Sequence, residues 1–174
     1  MIQLFLAPVS STQLYKNYQK TVENGFNFQS FFSLKPTITY QKKTFDKRSI
    51  IRLWGIKDLK ISQYKQCNID DYIFFYHKGN IISSARILSL DKNRELSILL
   101  WGKDFDRLKN RNEYWDNIIF LHSFLKVSLN FSILIKYANY DAKASVRGFN
   151  KYRMDGLNKI LKDYGTIDKF LKSN

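Results

Sequence analysis

The stretch 50-IIRLWGIKDLKISQYKQCNIDDYIFFYHKGNIISSARIL-88 decides the fold. Its apolar runs are too short for helices of ordinary length, and turn residues bound them. A strand from Ile50 ends in Trp54-Gly55, a short helix follows, and Asp70-Asp71 makes a turn. An apolar strand from Tyr72 to Tyr76 comes next, then a Lys78-Gly79-Asn80 turn and a second strand from Ile81 to Leu88. Gly55 lets the backbone turn beside the indole, which puts Trp54 at a strand end where its ring can face a pocket.

Upstream, Ile2 to Val9 reads as an apolar strand closed by Pro8, and Ser10-Ser11-Thr12 offers hydroxyls for a helix start. Leu14, Tyr18 and Val22 share one helical face and Gly25 supplies a stop, which predicts a helix over 12–24. Residues 26–49 are expected to be poorly regular, with an edge strand near Thr37 to Tyr40. Downstream, Glu95 to Trp101 reads as a strand with a second Trp-Gly ending, and Lys103 to Glu113 as a charged flexible link. Asp116 to Phe124 is an apolar strand that Val127 to Leu129 extends. A short helix over Ile133 to Tyr137, a basic loop or strand over Tyr140 to Tyr152, and a helix capped by Asp155 complete the pattern. Leu157, Ile160, Leu161 and Tyr164 form that helix's inward stripe. Apolar strands alternating with short capped helices predict an α+β fold: a curved mixed sheet or pseudo-barrel of five to six strands with flanking helices.

The 174 residues, 44% hydrophobic and 16% aromatic, suffice for one sizeable core. No repeat, low-complexity tract or Pro/Gly/Ser linker divides them, so residues 1–174 are expected to form a single domain, with 166–174 a terminal helical turn or the start of a linker. The single cysteine, Cys67, excludes an internal disulfide and fits a reducing, cytoplasmic setting. No apolar run approaches the roughly 18 to 20 residues of a membrane span, so no membrane partner is expected. Met1 to Val9 lacks a basic region and a cleavage site, and reads as a buried strand rather than a signal peptide. Asn130-Phe131-Ser132 is a chance glycosylation match in that setting.

Twenty-nine Lys and Arg against fifteen Asp and Glu leave a net charge of +14, which points to a polyanionic partner, nucleic acid first. The excess is concentrated. From Lys35 to Lys65 nine basic residues face two acidic ones, and from Lys136 to Lys162 seven face two. Lys42, Lys43, Lys47, Arg48, Arg52 and Lys57 in the first segment, with Arg147, Lys151 and Arg153 in the second, are candidate phosphate contacts converging on one groove. A solvated basic face is the bland alternative.

Catalytic motifs are missing. No phosphate-cradling glycine loop occurs, which excludes an NTPase motor within this chain. His77 and His122 stand apart from other ligands, so neither a zinc site nor a deaminase constellation is expected. Carboxylates are not clustered for Mg²⁺, and no nucleophile elbow is present. No catalytic residue, metal or cofactor is expected. What remains is aromatic rings near positive charge, the composition of a nucleic-acid site in which bases stack on rings and cations neutralise phosphates.

Leu-Trp-Gly, a short helix, Asp-Asp before a strand ending Phe-Phe-Tyr, then Gly and a strand ending Ala-Arg-Ile resemble the core of PUA-like domains of the EVE and YTH type. LLWGKDF, YWDNIIFL and SVRGFNKYRMDGLNKIL are similar to later segments of EVE-like domains at the N-termini of McrB-type modification-dependent restriction proteins. The resemblance implies a DNA-binding domain that flips a modified base into an aromatic pocket, with a C-terminal AAA+ GTPase motor and a nuclease subunit as partners outside these residues. By it, Trp54 with Gly55 matches the first cage tryptophan. Trp101 is the candidate second wall, with Trp115 as the alternative to it, and Tyr76 lies nearby in the sheet. For Trp115 the core reading is favoured. In the YTH family the loop after the first strand reads the base edge with polar side chains. Here that loop holds Ser10, Ser11 and Thr12, with Asn17 further on, and plain helix capping accounts for the hydroxyls equally well. Because most PUA-like domains bind RNA, an RNA-binding adaptor is the main alternative, and an enzyme acting on a modified nucleoside is a third.

Overall fold

Leu4 and Leu6 of one strand and Tyr72, Phe74 and Tyr76 of its neighbour share one face in a common core, and the residues between them are buried on the other face. The computed structural model describes residues 2–33, 50–106 and 111–174. In chain order the elements are β1 (Leu4–Pro8), α1 (Thr12–Tyr18), a π-helical continuation (Gln19–Glu23), β2 (Phe26–Asn27), α2 (Phe28–Ser33), β3 (Ile50–Ile56), a 3₁₀ turn (Asp58–Lys60) and α3 (Ile61–Tyr64). They continue as β4 (Tyr72–His77), β5 (Asn80–Lys92), α4 (Arg94–Trp101), β6 (Asp104–Asp106), β7 (Arg111–Glu113) and β8 (Asn117–Asn130). The last four are α5 (Phe131–Ala138), β9 (Asn150–Lys151), α6 (Met154–Tyr164) and α7 (Ile167–Ser173). Seven strands pair in the order β2-β3-β8-β5-β4-β1-β9, while β6 and β7 form a separate hairpin. The architecture is a mixed α+β sheet, one or two strands larger than expected.

Two compact units are distinguishable: Met1–Ser10 with Asp70–Arg86 and Ser123–Asn174, and Ser11–Ile69 with Ile87–His122. In the first, β1 pairs in parallel with β4, Leu4 opposite Tyr72 through Pro8 opposite Tyr76, and antiparallel with β9. The β4–β5 hairpin closes through Lys78 (φ 44°) and Gly79 (φ 90°), two positive-φ residues that match the right-handed strand twist. Leu134 of α5, Leu157 and Ile160 of α6 and Phe170 of α7 cover the apolar face. The buried Tyr152 hydroxyl donates to Leu134 O at 2.7 Å, and burial raises its pKa. Asp155 lies in the first turn of α6, but the N-cap is Arg153, which makes no side-chain cap bond.

In the second unit, β3 lies antiparallel between β2 and β8, with Trp54 opposite Ile119 and Gly55 opposite Ile118. Ile51, Leu53, Ile118 and Phe120 form a core with Phe31 of α2 and Leu96 and Leu100 of α4. Trp54-Gly55 therefore sits inside a strand that runs on to Ile56, rather than at its end. The expected strand Glu95 to Trp101 is helix α4: Asn93 caps it by accepting from Leu96 N–H, and Gly102 (φ 73°) ends it. Leu96 and Leu100, four apart, are buried whereas Ile98 and Leu99 are exposed, a helical rather than a strand period. The link Lys103 to Glu113 contains the β6–β7 hairpin. Thr37 to Tyr40 lies outside the described residues.

Candidate functional site

Gly55 is where the second unit comes together. A Cβ on it would lie 2.6 Å from Trp101 Cζ3, 2.6 Å from Trp115 Cβ and 2.7 Å from Trp115 O, so only glycine lets both tryptophans pack against β3. The two indoles meet edge to face, their centroids 6.1 Å apart and their planes at 86°. Trp54, Gly55, Trp101 and Trp115, together with Leu14 and Asn17 of α1, line a single cavity. Its volume is ≈ 10 Å³, about the room one water needs.

Each wall has a local cause. Trp101 is the last residue of α4, where Lys20 Nζ donates to Leu100 O at 2.8 Å and supplies an otherwise orphaned carbonyl with a cation. Trp115 belongs to a segment tied to the start of α4. Arg94 pairs with the buried Asp116 at 3.2 Å and lies 4.7 Å over the Tyr114 ring, while Asn93 N–H donates to Asp116 O. Lys57 Nζ stands 5.3 Å over the Trp115 ring and 3.3 Å from Glu113. Asn17 is 6% exposed and its Oδ1 accepts from Gln13 Nε2. Among the described residues, Trp101 Nε1 is buried without a hydrogen-bond partner. An indole N–H can only donate, so this orphan suits an incoming acceptor.

Four of the sequence-derived pocket residues thus share one cavity: Trp54, Gly55, Trp101 and Asn17. Trp115, favoured as core, stands beside them as a half-buried wall. Four others lie elsewhere. Tyr76 is in the first unit's core, edge to face with Phe131 at 5.0 Å. Ser10 accepts from Lys78 N–H, Ser11 caps α1 by accepting from Leu14 N–H, and Thr12 is exposed at the first helical position. Leu14 was legible only as a helix-face residue.

Of the basic candidates, Lys57 stands over the Trp115 ring. Lys42, Lys43, Lys47 and Arg48 lie outside the described residues. Arg52 is half-buried, and desolvation lowers its guanidinium pKa against a smaller opposing effect from Tyr18. Arg147 is exposed, Lys151 half-buried in β9, and Arg153 pairs with Asp155 at 3.4 Å. Among the described residues no group of three or more His, Cys, Asp or Glu side chains is placed to hold a metal. No described helix is long and apolar enough to cross a membrane.

Neither a protein-family model nor a curated protein matches the chain. Solved structures do. The N-terminal domain of Thermococcus gammatolerans McrB bound to m5C DNA is 16% identical, with a TM-score of 0.64, and the match covers 92% of this chain and 98% of that one. The Pho92 YTH domain in complex with m6A is 14% identical, with a TM-score of 0.50 and coverage of 96% and 88%. The fold is therefore the one that these McrB N-terminal and YTH domains have.

Proposed function

We propose that this chain reads a modified base in DNA, taking the base out of the stack and into the tryptophan cavity. The observation that carries the reading is the meeting of Trp54, Trp101 and Trp115 around one cavity whose wall contains an unpartnered buried indole N–H. Indole faces supply stacking worth ~1 to 3 kcal/mol per base, and a methyl group adds apolar surface against the rings. The Trp101 N–H meets an acceptor on the base edge, which removes a desolvation penalty of about 1–3 kcal/mol. Asn17 supports the same edge. A base does not fit the cavity at ≈ 10 Å³. Entry therefore swings Trp101 or Trp115 out of their perpendicular contact, and the base takes the vacated contact surface.

Phosphate contacts from the basic excess grip the nucleic acid without regard to sequence, and the cavity confers selectivity. The solved neighbours, bound to m5C DNA and to m6A, motivate the choice of modified bases as ligands. On this reading the chain serves a McrB-type restriction system, delivering recognition to a GTPase motor and a nuclease carried outside these residues. The test is a competition panel of DNA and RNA oligonucleotides carrying methylated adenine, methylated cytosine or neither. Preference for one methylated DNA supports the proposal. Equal binding to all DNA probes refutes base reading, and a preference for RNA moves the chain to the adaptor class.

A further inference from the structure

The first unit has a larger opening that the tryptophan cavity does not use. Leu6 of β1, Phe131 of α5 and Val146 form an apolar floor, and Tyr140, Asn150 and Lys151 stand around it, enclosing ≈ 260 Å³. That is near the lower edge of the roughly 300–1,000 Å³ typical of sites for small ligands, which are likewise mostly apolar with a few polar groups. Among the described residues no acidic side chain lines it.

Its surroundings are cationic. Lys143 and Arg147, both exposed, lie in the loop that supplies Ala144 and Val146 to the wall, and among the described residues neither forms an ion pair. The acidic residues of the same region are engaged: Asp141 Oδ1 accepts from Lys143 N–H at 2.7 Å, and Asp155 pairs with Arg153. Tyr140 is held as a fixed ring. Its hydroxyl accepts from Arg153 N–H at 3.2 Å, its edge-to-face contact with Tyr152 spans 5.9 Å, and the Arg153 guanidinium lies 5.9 Å from its centroid. An open, mostly apolar cleft with an aromatic wall and a cationic rim suits a ligand that is planar and apolar at one end and anionic at the other.

We infer that this cleft binds one nucleotide unit, its base against Tyr140 and the Leu6–Phe131–Val146 floor and its phosphate at Lys151 and Arg147. The inference rests on the reading that the chain binds nucleic acid, but not on the tryptophan cavity. The nucleotide is either part of a strand, such as an unpaired neighbour of the displaced base, or a free monophosphate.

Backbone amide NMR titrations of the whole chain separate these cases, using an unmodified single-stranded oligothymidylate and, separately, thymidine monophosphate. Shifts of Ala144, Val146, Asn150 and Lys151 with the oligonucleotide alone identify a strand unit, and equal shifts with the monophosphate identify a free nucleotide. Ala144→Trp, which fills the slot from a half-exposed position, is expected to weaken binding about tenfold, and Ser145→Trp at the exposed lip serves as a second variant with less risk to folding. Trp54→Ala is expected to leave these shifts in place. The inference is overturned if neither probe moves the four amides, or if both folded slot variants bind as the wild type does. Loss of modified-base discrimination in Trp101→Ala with the slot shifts unchanged upholds both sites, whereas full discrimination with no slot shifts upholds the tryptophan site alone.

Discussion

Gly55→Ala introduces a single methyl at the point where three elements of the second unit converge. The added carbon meets Trp101 Cζ3 and Trp115 Cβ at 2.6 Å and Trp115 O at 2.7 Å, all far inside the ~3.5–4.0 Å optimum for such contacts. The Trp101 ring can tilt away. The Trp115 backbone cannot, because Asp116, the next residue, is held by Arg94 and by Asn93 N–H. Alanine gains about 0.4–1 kcal/mol by restricting the unfolded chain. Overpacking costs about 1–3 kcal/mol and wins. Because the Trp115 backbone is fixed the upper part of that cost applies, a net loss of about 1–2.5 kcal/mol, and at roughly 2–4 °C per kcal/mol for a chain of this size Tm falls by roughly 2–10 °C, which thermal unfolding followed by circular dichroism resolves. In a Trp101→Ala background the same substitution costs less, since one of the three closest atoms is gone. An unchanged or raised Tm for Gly55→Ala would refute the close approach on which the cavity depends.

Tyr152→Phe removes the buried bond to Leu134 O, and chemical denaturation is expected to show a loss of about 1 kcal/mol with an unchanged slope. The Asn117 side-chain hydrogen bond, aided by Lys92 and opposed by slight burial, holds the Asp58 carboxyl below its ordinary 3.8. A depressed folded-state pKa means that the folded chain binds fewer protons than the unfolded one, so the contribution is complete at neutral pH and is lost as pH falls from 3.8 through the lower value. Asp58→Asn should therefore flatten the acid limb of a Tm-against-pH curve, and an unaltered limb counts against the bond to Asn117. Arg147→Ala is expected to weaken binding alike for modified and unmodified DNA and to lower the slope of log K against log salt by ~0.9, whereas an unchanged slope places the phosphates elsewhere.

Elements with a strong local period were legible in the sequence. The apolar runs of β1, β4 and β5, the Leu14/Tyr18/Val22 face of α1 and the Leu157/Ile160 stripe of α6 all have the expected type. Helix α4 was misread because Leu96, Ile98, Leu99 and Leu100 make a nearly continuous apolar run; the Asn93 cap, Glu95 in the first turn and Gly102 at the end were the overriding signals. The hairpin of Asp104–Asp106 with Arg111–Glu113 carries no apolar period for sequence to show. Trp54, Trp101 and Asn17 could be picked out one by one. Trp115 could be named only as the alternative wall, because what brings it to Gly55 is a set of contacts from Arg94, Asn93 and Lys57, whose partners are invisible along the chain. The hydroxyls of Ser10 and Ser11 accept from backbone N–H groups of the hairpin turn and of α1, the capping role that the sequence offered beside base reading.

The central claim is that the tryptophan cavity, rather than the basic surface, distinguishes a modified base. Its most direct test is the ratio of affinities for one duplex with and without the preferred methylated base, measured by fluorescence anisotropy for the wild type and for Trp101→Ala. Trp101 is half-buried whereas Trp54 is buried, so the variant is more apt to fold than Trp54→Ala, and its melting curve is recorded alongside. The account predicts that the ratio collapses towards one, a loss of ~1 to 3 kcal/mol, while binding to the unmodified duplex persists. A folded Trp101→Ala protein that keeps the full ratio would contradict it.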